Sequence, residues 1–414
     1  DLSVKHARTH SVDNGSLSTP YTLESGRAIP RRMSALPPET LPSGPPAALP
    51  PPSADVGEVV DDVRALAGTV REIKAELIEA AVRAWSHNTR RAFRSDLKIW
   101  GAWCRRRRLD PPKAEVSAVA AYIRQIAGID ASAEKVRAMA TIERYIVNIG
   151  WAYRMAGLPD PTAGELVTLE MKAARKTVGV RQKQARAIRF KGDIADFDSP
   201  PSGVCLAHLL KAVRRDLLGY RDAALLRVAY DSAGRRSELV AIAVDHIHGP
   251  DADGAGALFI PTSKTDREGE GAWAYLAPPT MQAIARWRAA AHIDKGPLFR
   301  RVETHFDGTV AAIGRRALHP NSITLIYRRL IRAAHAKKLL GEMSNAELER
   351  WVTAVSSHSI RVGVAQDNFA AAESLPAIMQ AYRWRDPKTV MRYGAKLAAK
   401  GGAGARMAKR FATA

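Results

Sequence analysis

The chain is nearly without cysteine. Cys104 and Cys205 are the two thiols in 414 residues, too few for a disulfide framework or a cysteine-bound zinc site. We read both as reduced, buried thiols of a cytosolic protein. The eleven histidines fall in no H-E-x-x-H or Cys/His spacing, so no protein-held metal is expected. No run of eighteen apolar residues occurs, which argues against a membrane span. No charged-then-apolar leader opens the sequence, so export is not expected either.

Acidic residues are also short. Lys and Arg number 63 against 42 Asp and Glu, giving a formal net charge of +21 and a pI of about 10.2. An excess of this size says little about fold. It favours a polyanionic partner met rapidly and in a salt-sensitive way.

Ordered patterning is missing from residues 1–57. This stretch holds ten of the 24 prolines, including "LPPETLPSGPPAALPPPS", and little apolar periodicity. Such a composition cannot bury enough surface to offset ordering entropy, so it reads as a disordered Pro-rich tail.

Helical spacing begins near Val59. In "SHNTRRAFRSDLKIWGAWC" (86–104), Phe93, Leu97, Trp100 and Cys104 recur at steps of four, three and four, defining one buried stripe. Arg90, Arg91, Arg94 and Lys98 lie largely off that stripe, and Arg105 and Arg106 follow it. From Arg83 to Arg108 there are nine basic residues and one acid, Asp96. "EKVRAMATIERYIVNIGWAYRMAGLP" (134–159) predicts another helix, with Val136, Met139, Ile142, Ile146 and Ile149 inward and a stop at Gly157 and Pro159. Successive helices without strand signals predict an all-helical domain over 58–185.

Residues 186–203 read as a basic interdomain linker. Seven Lys or Arg and no acid lie between Lys172 and Arg189, and "KGDIADFDSPPSG" follows. The run is either a solvated connector or a strap lying along phosphates. A second domain is expected over 204–394. "GYRDAALLRVAYDSAGRRSELVAI" (219–242) predicts two helices joined near Ser232–Gly234. "ALFIPTSKTDREGEGAWAYLAP" (257–278) predicts a β-hairpin, with a strand near 257–262, a Gly-rich acidic turn and a strand near 272–276, and helical patterns resume from 279. There is no detectable internal repeat.

Several side chains in this region suit an anion. In "SSHSIRVGV" (356–364), Ser356 or Ser357 is a good N-cap, which places His358 and Arg361 on one face of the first helical turns. Free backbone N–H groups there favour negative charge. Taken alone, H-x-x-R more often marks a surface pair. "AGRRSELV" (233–240) sets Arg235 and Glu238 three apart, so that the carboxylate can hold the guanidinium fork; a plain surface ion pair is the rival reading. Lys264 stands near the hairpin tip, where most lysines are simply solvated. In a cationic site its pKa would fall, and it could protonate a departing oxygen. Trp384 and Tyr393 close "RWRDPKTVMRYG" (383–394), where ordinary packing would be the common explanation.

The ordered set Arg235, Glu238, Lys264, His358–x–x–Arg361, Trp384 and Tyr393 resembles the catalytic signature of the tyrosine recombinases, the phage-integrase family. The resemblance extends from about residue 84 to 411. It implies a mainly α fold with a small β-sheet: an N-terminal helical core-binding domain and a mixed α/β catalytic domain, closing on DNA as a C-shaped clamp. It further implies Tyr393 as nucleophile, a 3′-phosphotyrosyl intermediate, strand exchange through a Holliday junction, and need of neither ATP nor metal.

The expected partner is a double-stranded DNA target site. The expected assembly is a dimer per site and a homotetramer on synapsed DNA, with no cofactor, membrane or small-molecule substrate. Arg90, Arg91, Arg94, Lys98, Arg105 and Arg106 are the expected DNA-binding residues. Residues 395–414 would be a tail in which a Gly-rich hinge leads to a short helix, Ala405–Phe411, docking in trans through Met407 and Phe411. The cytoplasm, at the nucleoid of a bacterium, is the expected location, and a mobile genetic element the expected context.

One departure stands out. The family usually has glycine before its His or Trp, and here that residue is Arg383. Two alternatives stand beside this reading: a DNA-binding regulator with an inactive site, which would keep the same charge and helices, and a type IB topoisomerase or telomere resolvase, which has similar chemistry.

Overall fold

In a computed structural model of the chain, residues 54–68, 73–130, 135–180, 184–192, 198–262 and 269–412 are described. The chain divides into two compact units, Asp1–Val180 and Arg181–Ala414. Most of the expected Pro-rich tail lies outside the described residues, and helix α1 starts at Ala54, inside the segment assigned to that tail.

The first unit contains α1 (Ala54–Ala67), α2 (Ala75–Arg83), α3 (His87–Arg106), α4 (Val116–Ile126), α5 (Met139–Met155) and α6 (Glu165–Val178). Ser86 caps α3 by accepting the Thr89 N–H, which satisfies one of the four orphan donors of the first turn. The predicted stripe of α3 is buried: Phe93, Leu97, Trp100 and Cys104 all enter one core with Tyr122, Ile142, Ile149 and Tyr153. Trp100 stacks on Trp103 with ring centres 5.2 Å apart and donates its indole N–H to Tyr153 at 3.2 Å.

Helix α5 begins later than its spacing predicts. Val136 precedes it and is exposed, whereas Met139, Ile142, Ile146 and Ile149 are inward. Burial pushes the Cys104 thiol up to about 12, as suits an inert core thiol.

The single acid in the basic stretch has a structural task. Asp96 is 1% exposed and accepts two N–H groups of Arg144, at 2.8 and 2.9 Å, and one of Asn148 at 2.7 Å. Arg144 and Asn148 are one turn apart on α5, so the carboxylate stitches α3 to α5. Asp96→Ala removes three charge-assisted bonds and is expected to cost about 2–4 kcal/mol. A chemical melt checks this; a loss under about 0.5 kcal/mol would place Asp96 with ordinary surface residues.

The second unit contains α7 (Leu206–Ala212), α8 (Leu217–Ser232), α9 (Arg236–Ala241), β1 (Ile247–His248), β2 (Gly256–Ile260), β3 (Ala272–Leu276), α10 (Pro278–Ala291), β4 (Arg300–Thr304), β5 (Val310–Ala317), α11 (Ser322–Ala336), α12 (Asn345–Ala354), α13 (Ser359–Ala370), α14 (Leu375–Ala381), α15 (Pro387–Gly401) and α16 (Ala403–Ala412). β1, β2 and β3 form an antiparallel sheet in that order. The hairpin pairs Ile260 with Ala272 and Gly256 with Leu276, near the predicted strand ends. β4 and β5 form a separate bulged hairpin. The core gathers Leu225, Leu226, Leu258, Trp287, Phe299, Tyr327, Ile331 and Val364 around α8, α10, α11 and α13. The mainly α fold with small antiparallel sheets agrees with the expected class.

Part of the expected linker is instead packed structure. Ile188 is fully buried, and its N–H donates to the Ser359 carbonyl at 2.9 Å. Arg186 lays its guanidinium 3.5 Å from the Trp351 ring centre. Arg189 Nε and the Phe190 N–H both donate to Asp367, at 2.6 and 2.8 Å. Burial, with Asp367 close by, pushes the Tyr230 phenol up, and it donates to the same carboxylate at 2.6 Å. A Cβ at Gly363 would collide with the Ile188 carbonyl. The glycine therefore lets the strap cross α13, the helix that carries His358 and Arg361 at its start. The basic composition left open a solvated connector or a strap along phosphates; Ile188 and Asp367 show part of it packed within its own unit.

Candidate active site

The site starts at the C-terminal end of α8. Ser232 Oγ donates to the Val228 carbonyl at 2.6 Å and accepts the Gly234 N–H at 3.1 Å. Ala233 then takes a left-handed conformation with φ of 43°. A Cβ at Gly234 would lie 2.8 Å from a Leu239 methyl, so this tight turn needs glycine there. The turn delivers Arg235 to the start of α9.

Glu238 holds Arg235 twice. Its Oε2 accepts the Arg235 backbone N–H at 2.9 Å, and its Oε1 accepts Nη1 at 2.6 Å. Burial alone would raise the Glu238 carboxyl; the Arg235 backbone and guanidinium outweigh it and hold the pKa below the ordinary value. A depressed carboxyl gives stability above its unfolded pKa, lost as pH falls through the folded one. The pair is therefore ionised near neutrality and weakens only in acid.

Arg361 enters from the first turn of α13. It is 3% exposed, donates Nη1 to the Ala233 carbonyl, and stacks 4.6 Å from the Trp384 ring centre. Burial, then the repulsion of Arg235, lowers its pKa to about 9. His358 is exposed and occupies the N-cap position itself, not the first turn as its serines predicted. Its backbone N–H donates to Ser356 Oγ at 3.2 Å.

Trp384 follows α14, 5% exposed. Tyr393 sits half-buried on α15, with its ring 6.3 Å from that of Trp384 at 60°. The phenol lies within electrostatic range of the Arg361 guanidinium. Gly394 makes this placement possible, because a Cβ there would strike the Phe369 ring of α13. Gln366 of α13 also donates to the Tyr393 carbonyl at 3.2 Å. Five of the seven expected catalytic residues, Arg235, Glu238, Arg361, Trp384 and Tyr393, thus gather in one place, with His358 at the head of α13. Lys264 lies outside the described residues.

A further cation joins them. Arg383, next to Trp384, donates Nη2 to the Ser232 carbonyl at 3.0 Å and lies 3.7 Å from Glu238 Oε2. Sequence reasoning noticed this residue only as a misfit. Its position in a glycine-type turn was the available signal.

The donors left over describe what would fit. Among the described residues, Arg361 Nη2, Arg383 Nε and Nη1, and Trp384 Nε1 are buried N–H groups without a partner. Arg235 and Arg383 share the Glu238 carboxylate with Arg361 close by, an excess of buried positive charge that carries a cost until a bound anion offsets it. A tetrahedral oxyanion with several acceptor oxygens does so. Sulfate is accordingly expected to stabilise the fold relative to chloride at equal ionic strength, by about 1.4 kcal/mol when tenfold above its Kd. Loss of that increment in Arg361→Gln would separate the site from general salt effects.

The expected DNA-binding residues lie on the first unit. Arg90 donates to the Val82 and Trp85 carbonyls. Arg94 pairs with Asp62 at 2.6 Å and with Glu58. These two arginines tie α3 to its surroundings. Arg91, Lys98, Arg105 and Arg106 are exposed, and Arg91 and Lys98 line a shallow depression along α3 with Ser95 and Ala102. Among the described residues no helix is long and apolar enough to cross a membrane.

No family model matches the chain. It is 28% identical over 333 residues to the recombinase Cre of Escherichia phage P1, covering 78% of this chain and 89% of that protein. To an integrase/recombinase XerD homologue of Selenomonas ruminantium it is 26% identical over 316 residues, 74% of this chain and 81% of that one. Among solved structures, the Tn1549 transposon integrase with circular intermediate DNA aligns with a TM-score of 0.48 and 12% identity, over 86% of this chain and 99% of that one. The XerH recombinase bound to a palindromic difH substrate aligns with a TM-score of 0.46 and 11% identity, over 79% and 83%. The two curated relatives, together with this ordered set of residues gathered at one site, support a member of the tyrosine recombinase family.

Proposed function

We propose that the protein is a site-specific DNA recombinase that cuts and rejoins duplex DNA through Tyr393. The observation that carries this reading is the group of unpartnered Arg361 and Trp384 donors beside the Tyr393 ring.

Arg235 and Arg361 hold the non-bridging oxygens of the scissile phosphate through planar, charge-assisted contacts. Trp384 gives its indole N–H to the same group, and His358 adds a hydrogen bond or takes the phenol proton. Tyr393 Oη attacks phosphorus, and the P–O bond to the 5′ oxygen breaks. Lys264 protonates that oxygen. A free phenol has a pKa of about 10, so the cationic surround is what makes attack feasible near neutrality. The ester energy stays in the 3′-phosphotyrosyl bond, and a 5′ hydroxyl from a partner duplex reverses the step. Neither ATP nor metal takes part, so attachment persists in EDTA.

Two such exchanges, passing through a Holliday junction, recombine a pair of sites held by a homotetramer. Arg91, Lys98, Arg105 and Arg106 of the first unit lie on the phosphates and groove. Helix α15 runs on to Gly401, so the hinge before α16 is shorter than expected, and Met407 and Phe411 on α16 are exposed. We assign that apolar edge to docking on a neighbouring subunit.

A pool of nicked duplexes with randomised interiors tests the reading. The protein should retain a subset in SDS, and sequencing that subset gives the target. No adduct from any duplex would favour the inactive regulator. Relaxation of plasmids lacking the recovered site would favour a topoisomerase.

A further inference from the structure

Arg383 is in a conformation that an L-residue seldom adopts. Its φ is +59°, in the left-handed region where Cβ crowds the backbone. Backbone strain of this kind persists where surrounding structure requires it, and it concentrates at working sites. The side chain is 11% exposed. Burial lowers its pKa, and Arg235 nearby adds to that while Glu238 opposes it. A residue that is strained, buried and next to like charge is in place for a reason that packing alone does not supply.

A cap is the plainest explanation. Arg383 Nη2 satisfies the Ser232 carbonyl at the end of α8, where helices leave carbonyls without partners. A cap uses one N–H, however, and two more of this guanidinium are buried with nothing to bind. Arg361 already serves the next carbonyl, that of Ala233. Arg383 also stands 3.7 Å from Glu238 Oε2, the oxygen that accepts the Arg235 backbone N–H. The groups it touches are therefore the two supports of Arg235: the turn before it and the carboxylate beneath it.

We propose that Arg383 is a positioning residue of the cleavage site, holding Glu238 and the Ser232 carbonyl so that the Arg235 fork meets the phosphate squarely. It also contributes a third positive charge within the site. A phosphodiester carries one negative charge, and a five-coordinate phosphorus gathers more on its equatorial oxygens. The added cation thus favours the transition state over the bound substrate. Electrostatic coupling of this kind depends on charge at position 383, which a cap does not require. The proposal rests on the DNA-cleavage reading above.

Arg383→Gly and Arg383→Lys separate the two roles on a duplex recovered by the parent protein. Glycine suits the positive φ, so Arg383→Gly should stay folded, with circular dichroism confirming it at the assay temperature. Its affinity for the duplex should stay within about twofold, because phosphate contacts are spread over many residues. Its single-turnover rate of adduct formation should fall about 10²-fold, the scale of losing one preorganised donor. Arg383→Lys should regain part of that rate, and its rate relative to the parent should decline toward alkaline pH as the buried lysine loses its proton.

A folded Arg383→Gly protein attaching at the parent rate overturns the proposal. So does an Arg383→Lys rate no higher than that of Arg383→Gly. Absence of any adduct from the parent instead sinks the cleavage reading, and this proposal falls with it.

Discussion

Tyr393→Phe forms no SDS-resistant adduct with any duplex that the parent protein captures, while binding those duplexes as tightly. The substitution deletes one oxygen. The ring that packs 6.3 Å from Trp384 remains, as does the carbonyl that Gln366 holds. Tyr393 is half-buried, so stability should move by no more than about 0.5 kcal/mol. Chemistry should fall by at least about 10⁴-fold, the scale seen when a covalent nucleophile is removed. A gel-shift assay and a denaturing gel on the same samples read the two quantities. An adduct that survives the substitution would mean that another residue is the nucleophile, and the site described here would lose its purpose. This is the larger of the two major effects, because no neighbouring group can replace the missing oxygen.

Much of the site was legible because its residues are spaced along the chain in a fixed order. Arg235 with Glu238 and His358 with Arg361 are each three apart, which a helix start turns into a shared face. The hairpin was legible from two strand-forming stretches and the Gly-rich acidic turn between them. Its strands β2 and β3 formed near the predicted limits. The stripe of α3 was legible from four apolar positions.

What was not legible depends on contacts between distant segments. Spacing alone could not show that Ile188 inserts beside Ser359, or that Asp367 gathers Arg189, Phe190 and Tyr230. Nor could it show that Arg90 and Arg94 turn to carbonyls and acids of their own unit. A basic run looks the same in sequence whether its charges face solvent or a neighbouring helix. Arg383 was hardest to read, because its importance lies in a backbone angle and in groups 151 and 145 residues earlier in the chain, Ser232 and Glu238.

The strap and the two glycines share one physical role. Gly363 admits the strap against α13, and Gly394 admits α15 against the same helix. The helix bearing Arg361 is thereby fixed on one side by the Asp367 network and on another by the segment that carries Tyr393. Positioning to a fraction of an ångström is what this kind of chemistry asks of a protein. Packing on two sides holds α13 in place for the proposed cleavage.

Arg361→Gln should lose at least about 10³-fold in adduct formation and yet remain folded, with duplex affinity kept within about tenfold. The physical basis is that the unoccupied site bears the cost of a buried cation. Burial and Arg235 lower the Arg361 pKa to about 9. The native state therefore binds its proton less readily than the unfolded chain does, and stability contributed by this group rises with pH between about 9 and the ordinary arginine value. Near neutrality both states are protonated, and the full cost of burial is present. Glutamine removes that charge and can still offer an N–H to the Ala233 carbonyl. Its stability near neutrality should equal or exceed the parent's, and its alkaline gain should be smaller. Denaturant melts at neutral and alkaline pH, with adduct assays alongside, measure both. Should Arg361→Gln unfold, or keep its rate, the cation would be a structural tie and not the grip on the phosphate.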